Sequence, residues 1–202
     1  IAGESATLTF TLSEASTTFL VSSAKVTGGV LSNFKGSNNS YTATFTPNAN
    51  STTNGVINVP SEVFTDLSGN ANADGADANN TITLAIDTVV PTISLGSSKS
   101  SLITGETATL TFTLSESSTN FVASDVIVSG GTLSNFKGNG ATYTALFTPN
   151  ANSTSIGAIS VASGVFTDAA GNSNADGSDT NNKLTLSIDT FPPTYSIISE
   201  QQ

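Results

Sequence analysis

The sequence predicts an all-β protein built from two tandem sandwich domains. Three observations support this prediction: apolar and hydroxyl-bearing side chains alternate over short runs, Thr, Ser, Asn and Gly dominate the polar composition, and one long unit occurs twice. Thr favours strands, whereas Asn, Gly and Asp favour turns. Strict alternation over a few residues is typical of a strand that buries one face.

The repeat needs no gaps to align. The segment from Ile103 restates the segment from Ile1, and 61 of the 94 aligned positions are identical. Residues 91–102 have no counterpart before the first copy, and residues 191–199 begin the pattern again. We predict repeat 1 at 1–88 without its first strand, repeat 2 at 89–190, and the start of a third repeat or a tail at 191–202. This phase indicates a piece of a longer array.

About seven strands per unit follow in chain order from the alternation. In the second copy they cover residues 93–95, 110–114, 126–128, 133–136, 143–147, 159–166 and 184–188. Seven short strands separated by Gly, Asn and Pro turns predict an immunoglobulin-like β-sandwich, and two stacked sandwiches predict an elongated rod. The predicted core of the second copy consists of its alternating large apolar side chains: Leu110, Phe112, Phe147, Phe166, Leu186 and Ile188.

Composition excludes several functions of this 202-residue chain. Cys, Met, Trp and His are absent, so thiol and imidazole catalysis, disulfides and the usual zinc ligands are excluded. The net charge is −10, and all five basic residues are Lys, which argues against a nucleic-acid or anionic-membrane surface. No apolar run is long enough for a membrane span, and no targeting segment opens the chain. We expect no enzyme, because the Ser and Thr hydroxyls lack a base.

Carboxylates recur at matched positions of the two copies. The pairs are Glu14/Glu116, Asp66/Asp168, Asp74/Asp176, Asp77/Asp179 and Asp87/Asp189. Strand order predicts that Glu116 and Asp168 lie at one end of the second sandwich, where Asp87 enters from the first. Three converging carboxylates repel unless a cation lies among them, so Ca²⁺ at this junction is one interpretation. Solvated acids on loop tips are the other.

A second candidate metal site lies in the loop before the last strand. The run Asn172-x-Asn174-x-Asp176-Gly177 is similar to the start of a calcium loop, and Asn70, Asn72 and Asp74 repeat it in the first copy. Asn replaces the first Asp, and Lys183 stands where a bidentate Glu is needed, so such a site would be weak. Asp179 and Asp77 belong to the same loops. Asn, Asp and Gly are also ordinary loop residues.

Several motifs resemble the bacterial immunoglobulin-like repeats of giant surface adhesins, many of RTX type, which support biofilm formation. The motifs of the second copy are GGTLSNFKG, YTALFTPNAN, VFTDAAGN and SIDTFPPT, and the first copy carries GGVLSNFKG, YTATFTPNAN, VFTDLSGN and AIDTVVPT. The resemblance implies non-enzymatic extender domains at the extracellular bacterial cell surface, often stiffened by calcium, with the ligand-binding modules elsewhere on the molecule. The tail departs from the repeat at residues 200–202.

Two further interpretations remain open. A direct carbohydrate-binding or host-surface-binding module is the alternative function, although aromatic residues make up only 7% of the chain and most are Phe at alternating positions. Lys35 and Lys137 recur, which leaves an autocatalytic Lys–Asn cross-link as an alternative. The expected partners are neighbouring repeats of the same chain. The open edge of the first copy also predicts head-to-tail docking of the tail, residues 193–198, between fragments of this kind, whereas in a longer array upstream chain would fill that edge. A frayed first domain and a disordered tail are the alternative.

Overall fold

The computed structural model describes residues 1–199. They form two compact units, one spanning Ile1–Val89 and the other beginning at Val90, which we call unit 1 and unit 2. Both consist of β-strands and three-residue 3-10 helices. The all-β prediction is therefore confirmed. The predicted departure at residues 200–202 lies outside the described residues.

The strands follow one another in nearly the same order in both units. Unit 1 contains β1 (Ala6–Ser16), β2 (Lys25–Thr27), β3 (Gly29–Pro47), β4 (Gly55–Asn58) and β5 (Thr81–Leu84). Unit 2 contains β6 (Ile93–Ser97), β7 (Ser101–Ile103), β8 (Ala108–Ser118), β9 (Val126–Ser129), β10 (Gly131–Pro149), β11 (Gly157–Val161) and β12 (Lys183–Asp189). The 3-10 helices are Val21–Ser23, Ala78–Asn80, Ala123–Asp125 and Thr180–Asn182.

Each unit has two sheets. In unit 2, one sheet has the strand order β10-β8-β6 and the other has the order β7-β12-β11-β9. In unit 1 the sheets are β1-β3 and β2-β4-β5. All neighbouring strands are antiparallel except β7 and β12, which run parallel. Two facing sheets of this kind are the architecture of a β-sandwich.

The opening segment of unit 2 contributes one strand to each sheet. Its first part, β6, pairs antiparallel with β8, and its second part, β7, pairs parallel with β12. The sequence analysis predicted a strand at 93–95 and missed β7, because a three-residue strand is too short to show alternation. Leu102 in β7 is nevertheless buried.

Two predicted strands, 133–136 and 143–147, are the two arms of β10. Phe136 and Tyr143 stack with their ring centroids 5.7 Å apart. Seven residues of one extended strand span about 23 Å. The strand therefore turns back on itself between these two rings.

The predicted strand at 159–166 is too long. Strand β11 ends at Val161, and the chain then turns through Gly164, whose φ is +76°. Phe166 is nevertheless 1% exposed, because its ring points inward from the loop rather than from a strand.

The core of unit 2 confirms the predicted apolar set. Leu110, Phe112, Phe147, Phe166, Leu186 and Ile188 are all buried. Phe121, which the sequence analysis missed, lies among the other rings, with centroids 5.2–5.7 Å from those of Tyr143, Phe166, Phe136 and Phe112. Burying each large apolar side chain contributes about 1.5–3 kcal/mol to folding.

Unit 1 has a smaller core. Its buried apolar residues are Leu8, Phe19, Tyr41, Ala43, Phe45 and Ile57, and Phe10 is only partly buried. Among the described residues, no strand pairs with β1 on the edge away from β3, as the phase of the repeat predicts. The same side chains therefore meet a less complete environment in unit 1 than in unit 2.

Candidate functional site

Two acidic side chains of unit 2 lie close together. A carboxylate oxygen of Glu116 and one of Asp168 are within 4.8 Å of each other. Glu116 follows the apolar run of β8 and is half-buried, whereas Asp168 follows Phe166 in the loop after β11 and is buried. The predicted convergence of these two residues is therefore present within unit 2. Two anionic oxygens at this spacing have the chemistry of a hard-cation site.

The Asp168 carboxylate is held by its own loop. Its Oδ1 accepts hydrogen bonds from the backbone N–H groups of Gly171 (2.7 Å) and Asn172 (2.8 Å), and its Oδ2 accepts one from Nδ2 of Asn172 (2.8 Å). Burial opposes ionisation, but these hydrogen bonds outweigh it and lower the pKa of Asp168. The side chain is therefore a fixed anion, and its Oδ2 retains capacity for a further partner.

Unit 1 repeats this loop geometry. Oδ1 of Asp66 accepts hydrogen bonds from the N–H groups of Ser68 and Asn70, both 2.8 Å, and Oδ2 accepts one from Nδ2 of Asn70 at 2.7 Å. The pKa of Asp66 is lowered, chiefly by the Asn70 side chain. Glu14, the counterpart of Glu116, is exposed on β1. Asp66 is thus oriented like Asp168 in a more open setting.

The side chains of the second predicted site also hold their loop in place. Oδ1 of Asn174 accepts the backbone N–H groups of Val165 (3.0 Å) and Phe166 (3.3 Å), while its Nδ2 donates to the carbonyl of Ala162 at 2.8 Å. Asn72 makes the equivalent bonds to Val63, Phe64 and Pro60 in unit 1. The Asn-x-Asn spacing therefore has a structural role, and metal binding by this loop stays a prediction.

Asp176 connects the same loop to the first strand of unit 2. Its Oδ2 accepts the backbone N–H of Ile93 at 2.7 Å. Asn182, which is fully buried, donates from Nδ2 to the carbonyl of Asp176 at 2.8 Å. Oδ1 of Asn182 is buried and makes no hydrogen bond to any described residue. Asp176 is therefore a residue that positions a strand, a role for which the sequence offered no signal.

The remaining predicted ligands lie outside the strands. Asp77 and Asp179 are exposed and immediately precede the 3-10 helices Ala78–Asn80 and Thr180–Asn182. Asp74 is exposed in the loop before Asp77. Asp87 is half-buried, and its Oδ1 accepts the backbone N–H of Val89 at 3.1 Å. Participation of Asp87 in a calcium site stays a prediction from chain order.

The Thr of the recurring Ile-Asp-Thr motif is a structural residue that the sequence analysis missed. Oγ1 of Thr190 donates to the carbonyl of Asn150 at 2.7 Å and accepts the N–H of Ser153 at 2.9 Å. Thr88 makes the same two bonds to Asn48 and Ser51 in unit 1. One buried hydroxyl thus ties the end of each unit to its Pro-Asn-Ala-Asn loop, which accounts for both motifs.

The strand order and the paired sheets define each unit as an immunoglobulin-like sandwich. Comparison with known families agrees: the model of the bacterial Ig-like domain matches residues 1–83 and again residues 87–185. The chain therefore belongs to the bacterial Ig-like domain family and carries two tandem copies of that domain. The family indicates a repeat role in a surface protein. No curated protein and no solved structure matches the chain.

Among residues 1–199, no helix has the length and apolar character that crossing a membrane requires.

Proposed function

We propose that the two units are non-enzymatic spacer repeats of a large secreted adhesin of RTX type on a bacterial cell surface, where they project a distal binding region. The observation that carries this proposal is the repetition of a whole domain in tandem. Three core pairs, Leu8/Leu110, Phe45/Phe147 and Ile57/Ile159, are buried in both copies, and Asp66 and Asp168 accept equivalent loop hydrogen bonds. Repeated domains add length, because each folds around its own core.

Calcium is the cofactor in this proposal. Glu116 and Asp168 present hard anionic oxygens within 4.8 Å of each other, and the hydrogen bonds to Asp168 keep it ionised. Calcium takes six to eight oxygen ligands, so this pair supplies only part of a coordination shell. Asp87 is the additional carboxylate that chain order predicts. Bound calcium would relieve the repulsion between these acids and stiffen the chain.

Isothermal titration calorimetry with calcium chloride tests the cofactor. The wild-type chain should bind calcium, and Asp168→Asn, Glu116→Gln and Asp87→Asn should each weaken binding, because each removes an anionic ligand. Glu62→Gln is the matched control, since it also removes one negative charge, from an exposed residue outside the predicted ligands. Absence of binding heat in the wild type, or equal weakening by Glu62→Gln, would overturn the calcium proposal.

Small-angle scattering tests stiffening. The wild-type chain should scatter as a more flexible molecule in chelator than in calcium. Asp168→Asn should give the more flexible profile in both conditions. Identical wild-type profiles would mean that calcium has no mechanical role. The spacer proposal would then depend on the glycan-array assay described below.

The alternative is a module that binds carbohydrate or a host surface directly. Its supporting observation is a pair of exposed aromatic rings after the last strand of unit 2, Phe191 (61% exposed) and Tyr195 (90% exposed). A glycan array probed with the chain distinguishes the two functions. Specific binding that Tyr195→Ser abolishes would favour the alternative, whereas a blank array is the result expected for a spacer.

A further inference from the structure

Unit 1 contains an open groove along the free edge of β1. Its volume is about 920 Å³, and it extends from β1 to the loop between β4 and β5. Apolar and acidic side chains line it, among them Phe10, Leu12, Phe64, Asp74 and Ile82. The main-chain groups on the free edge of β1 have no neighbouring strand among the described residues. An open edge of this kind is a template for another strand.

Unit 2 shows what occupies the equivalent place. Strand β6 lies against β8 there, with Ile93 opposite Leu114 and Leu95 opposite Phe112. The N–H of Ile93 donates to Oδ2 of Asp176, and the Ile93 side chain is 1% exposed. The fitting occupant is therefore an extended segment with apolar side chains at alternate positions.

Equivalent residues of the two units differ in burial accordingly. Phe112 and Phe166 are fully buried in unit 2, but their counterparts Phe10 and Phe64 are only partly buried in unit 1. Asp176 is likewise buried, whereas its counterpart Asp74 is exposed. The three unit 1 residues, Phe10, Phe64 and Asp74, all line the groove. The unit 1 groove thus retains the features that hold β6 in unit 2.

The chain carries a second copy of the segment that fills this place. Pro193-Thr194-Tyr195-Ser196-Ile197-Ile198 follows the pattern of Pro91-Thr92-Ile93-Ser94-Leu95-Gly96. Tyr195 and Ile197, the counterparts of Ile93 and Leu95, are 90% and 89% exposed. Ile198 takes the place of Gly96, where an added Cβ meets nothing within 4 Å. The segment therefore has the required alternation and is not packed in its own unit.

We propose that, in the chain of residues 1–202, the segment Pro193–Ile198 of one molecule docks as an added strand in the unit 1 groove of a second copy. By the register of unit 2, Tyr195 lies opposite Leu12 and Ile197 opposite Phe10, and the N–H of Tyr195 donates to the Asp74 carboxylate. Main-chain hydrogen bonds supply affinity and the two buried side chains supply specificity. Because groove and segment are different surfaces, the contact is heterologous and propagates head to tail.

Light scattering coupled to size exclusion tests this proposal over a wide range of protein concentration, with a chelator present. The wild-type mass should rise with concentration above the 20.3 kDa of one chain. Ile197→Asp should lower the association constant roughly tenfold or more, because it places a charge in the groove. Ile198→Asp, with the same charge on the opposite face of the segment, should associate like the wild type.

The groove is tested with a second pair of variants. Ile82→Lys adds a charge to a groove residue that is already 44% exposed, so the unit should still fold, which circular dichroism verifies. Val30→Lys adds the same charge at a residue 59% exposed outside the groove. We expect Ile82→Lys to abolish association and Val30→Lys to leave it unchanged.

Mixing the two defective variants gives the most specific result. Ile197→Asp retains an intact groove and Ile82→Lys retains an intact segment, so an equimolar mixture should form a dimer of one molecule of each and grow no further. A wild-type chain that stays monomeric at every concentration would overturn the proposal. Protection of the tail from hydrogen exchange in such a monomer would mean that the tail docks within its own molecule. Equal loss of association in Ile197→Asp and Ile198→Asp would also overturn it. None of these outcomes depends on calcium binding or on the spacer function.

Discussion

Burial differs between two side chains of the same type at the same place in the repeat. Phe112 is 0% exposed on β8, which pairs with β6, whereas Phe10 is only partly buried beside the open groove. The free energy that a ring contributes depends on the area it removes from water. The two Phe residues should therefore respond differently to the same substitution.

We expect Phe112→Ala to lower the free energy of unfolding of unit 2 by roughly 3–5 kcal/mol, because it deletes a buried ring and leaves a cavity. Phe10→Ala should cost unit 1 clearly less. Denaturant unfolding followed by tyrosine fluorescence and circular dichroism measures both. Equal losses would show that Phe10 is as well packed as Phe112, contrary to its exposure.

The lowered pKa of Asp168 predicts a pH dependence of stability. Its folded-state pKa is depressed, so the carboxylate stabilises unit 2 fully above the ordinary aspartate pKa, and this contribution is lost as pH falls through the folded-state value. Asp168→Asn should lower stability at neutral pH and flatten the acid side of the curve. Thermal unfolding at a series of pH values measures the effect. An unchanged acid slope in Asp168→Asn would contradict it.

At the scale of the strand, the Gly-Gly pair at the start of β10 has a steric cause. Gly130 has a φ of +75°, and a Cβ on Gly131 would overlap the carbonyl oxygen of Thr148 and the ring of Phe147. The first glycine supplies a left-handed turn, and the second allows the two arms of β10 to approach. The same arrangement recurs at Gly28 and Gly29 in unit 1.

Gly131→Ala should therefore destabilise unit 2 by about 1–3 kcal/mol through overpacking. Gly96→Ala is the matched control: Gly96 also lies in a strand, but an added Cβ meets nothing within 4 Å. The control should stabilise slightly, by about 0.5–1 kcal/mol, because Ala restricts the unfolded chain. Chemical denaturation of the two variants gives both values. A neutral Gly131→Ala would mean that the β10 arms separate easily.

At the scale of the whole chain, the two units differ in the extent of their cores. Unit 2 buries a continuous set of side chains from seven strands, whereas unit 1 buries a smaller apolar set: Leu8, Phe19, Tyr41, Ala43, Phe45 and Ile57. Differential scanning calorimetry should therefore resolve two transitions, with unit 1 unfolding at the lower temperature. Phe112→Ala should lower only the upper transition. A single transition that Phe112→Ala moves as a whole would show that the units unfold together.

Strand positions, inward faces and the repeat follow from sequence alone, because side chains on a strand alternate with a period of two and the repeat restates that alternation. Phe112 and Leu186 were predicted as core residues for this reason. The proximity of Glu116 and Asp168 was also accessible, since strand order alone indicates which loops share an end of a sandwich.

Other features depend on contacts between residues far apart in the chain. The bond from Ile93 to Asp176 joins residues 83 positions apart, and nothing in either local sequence marks it. The inward position of Phe121 and the pairing of β7 with β12 are equally invisible locally. Local alternation reports which side of a strand is buried, whereas tertiary packing selects the partner, since a hydrogen bond or ring contact requires both groups to arrive at one place.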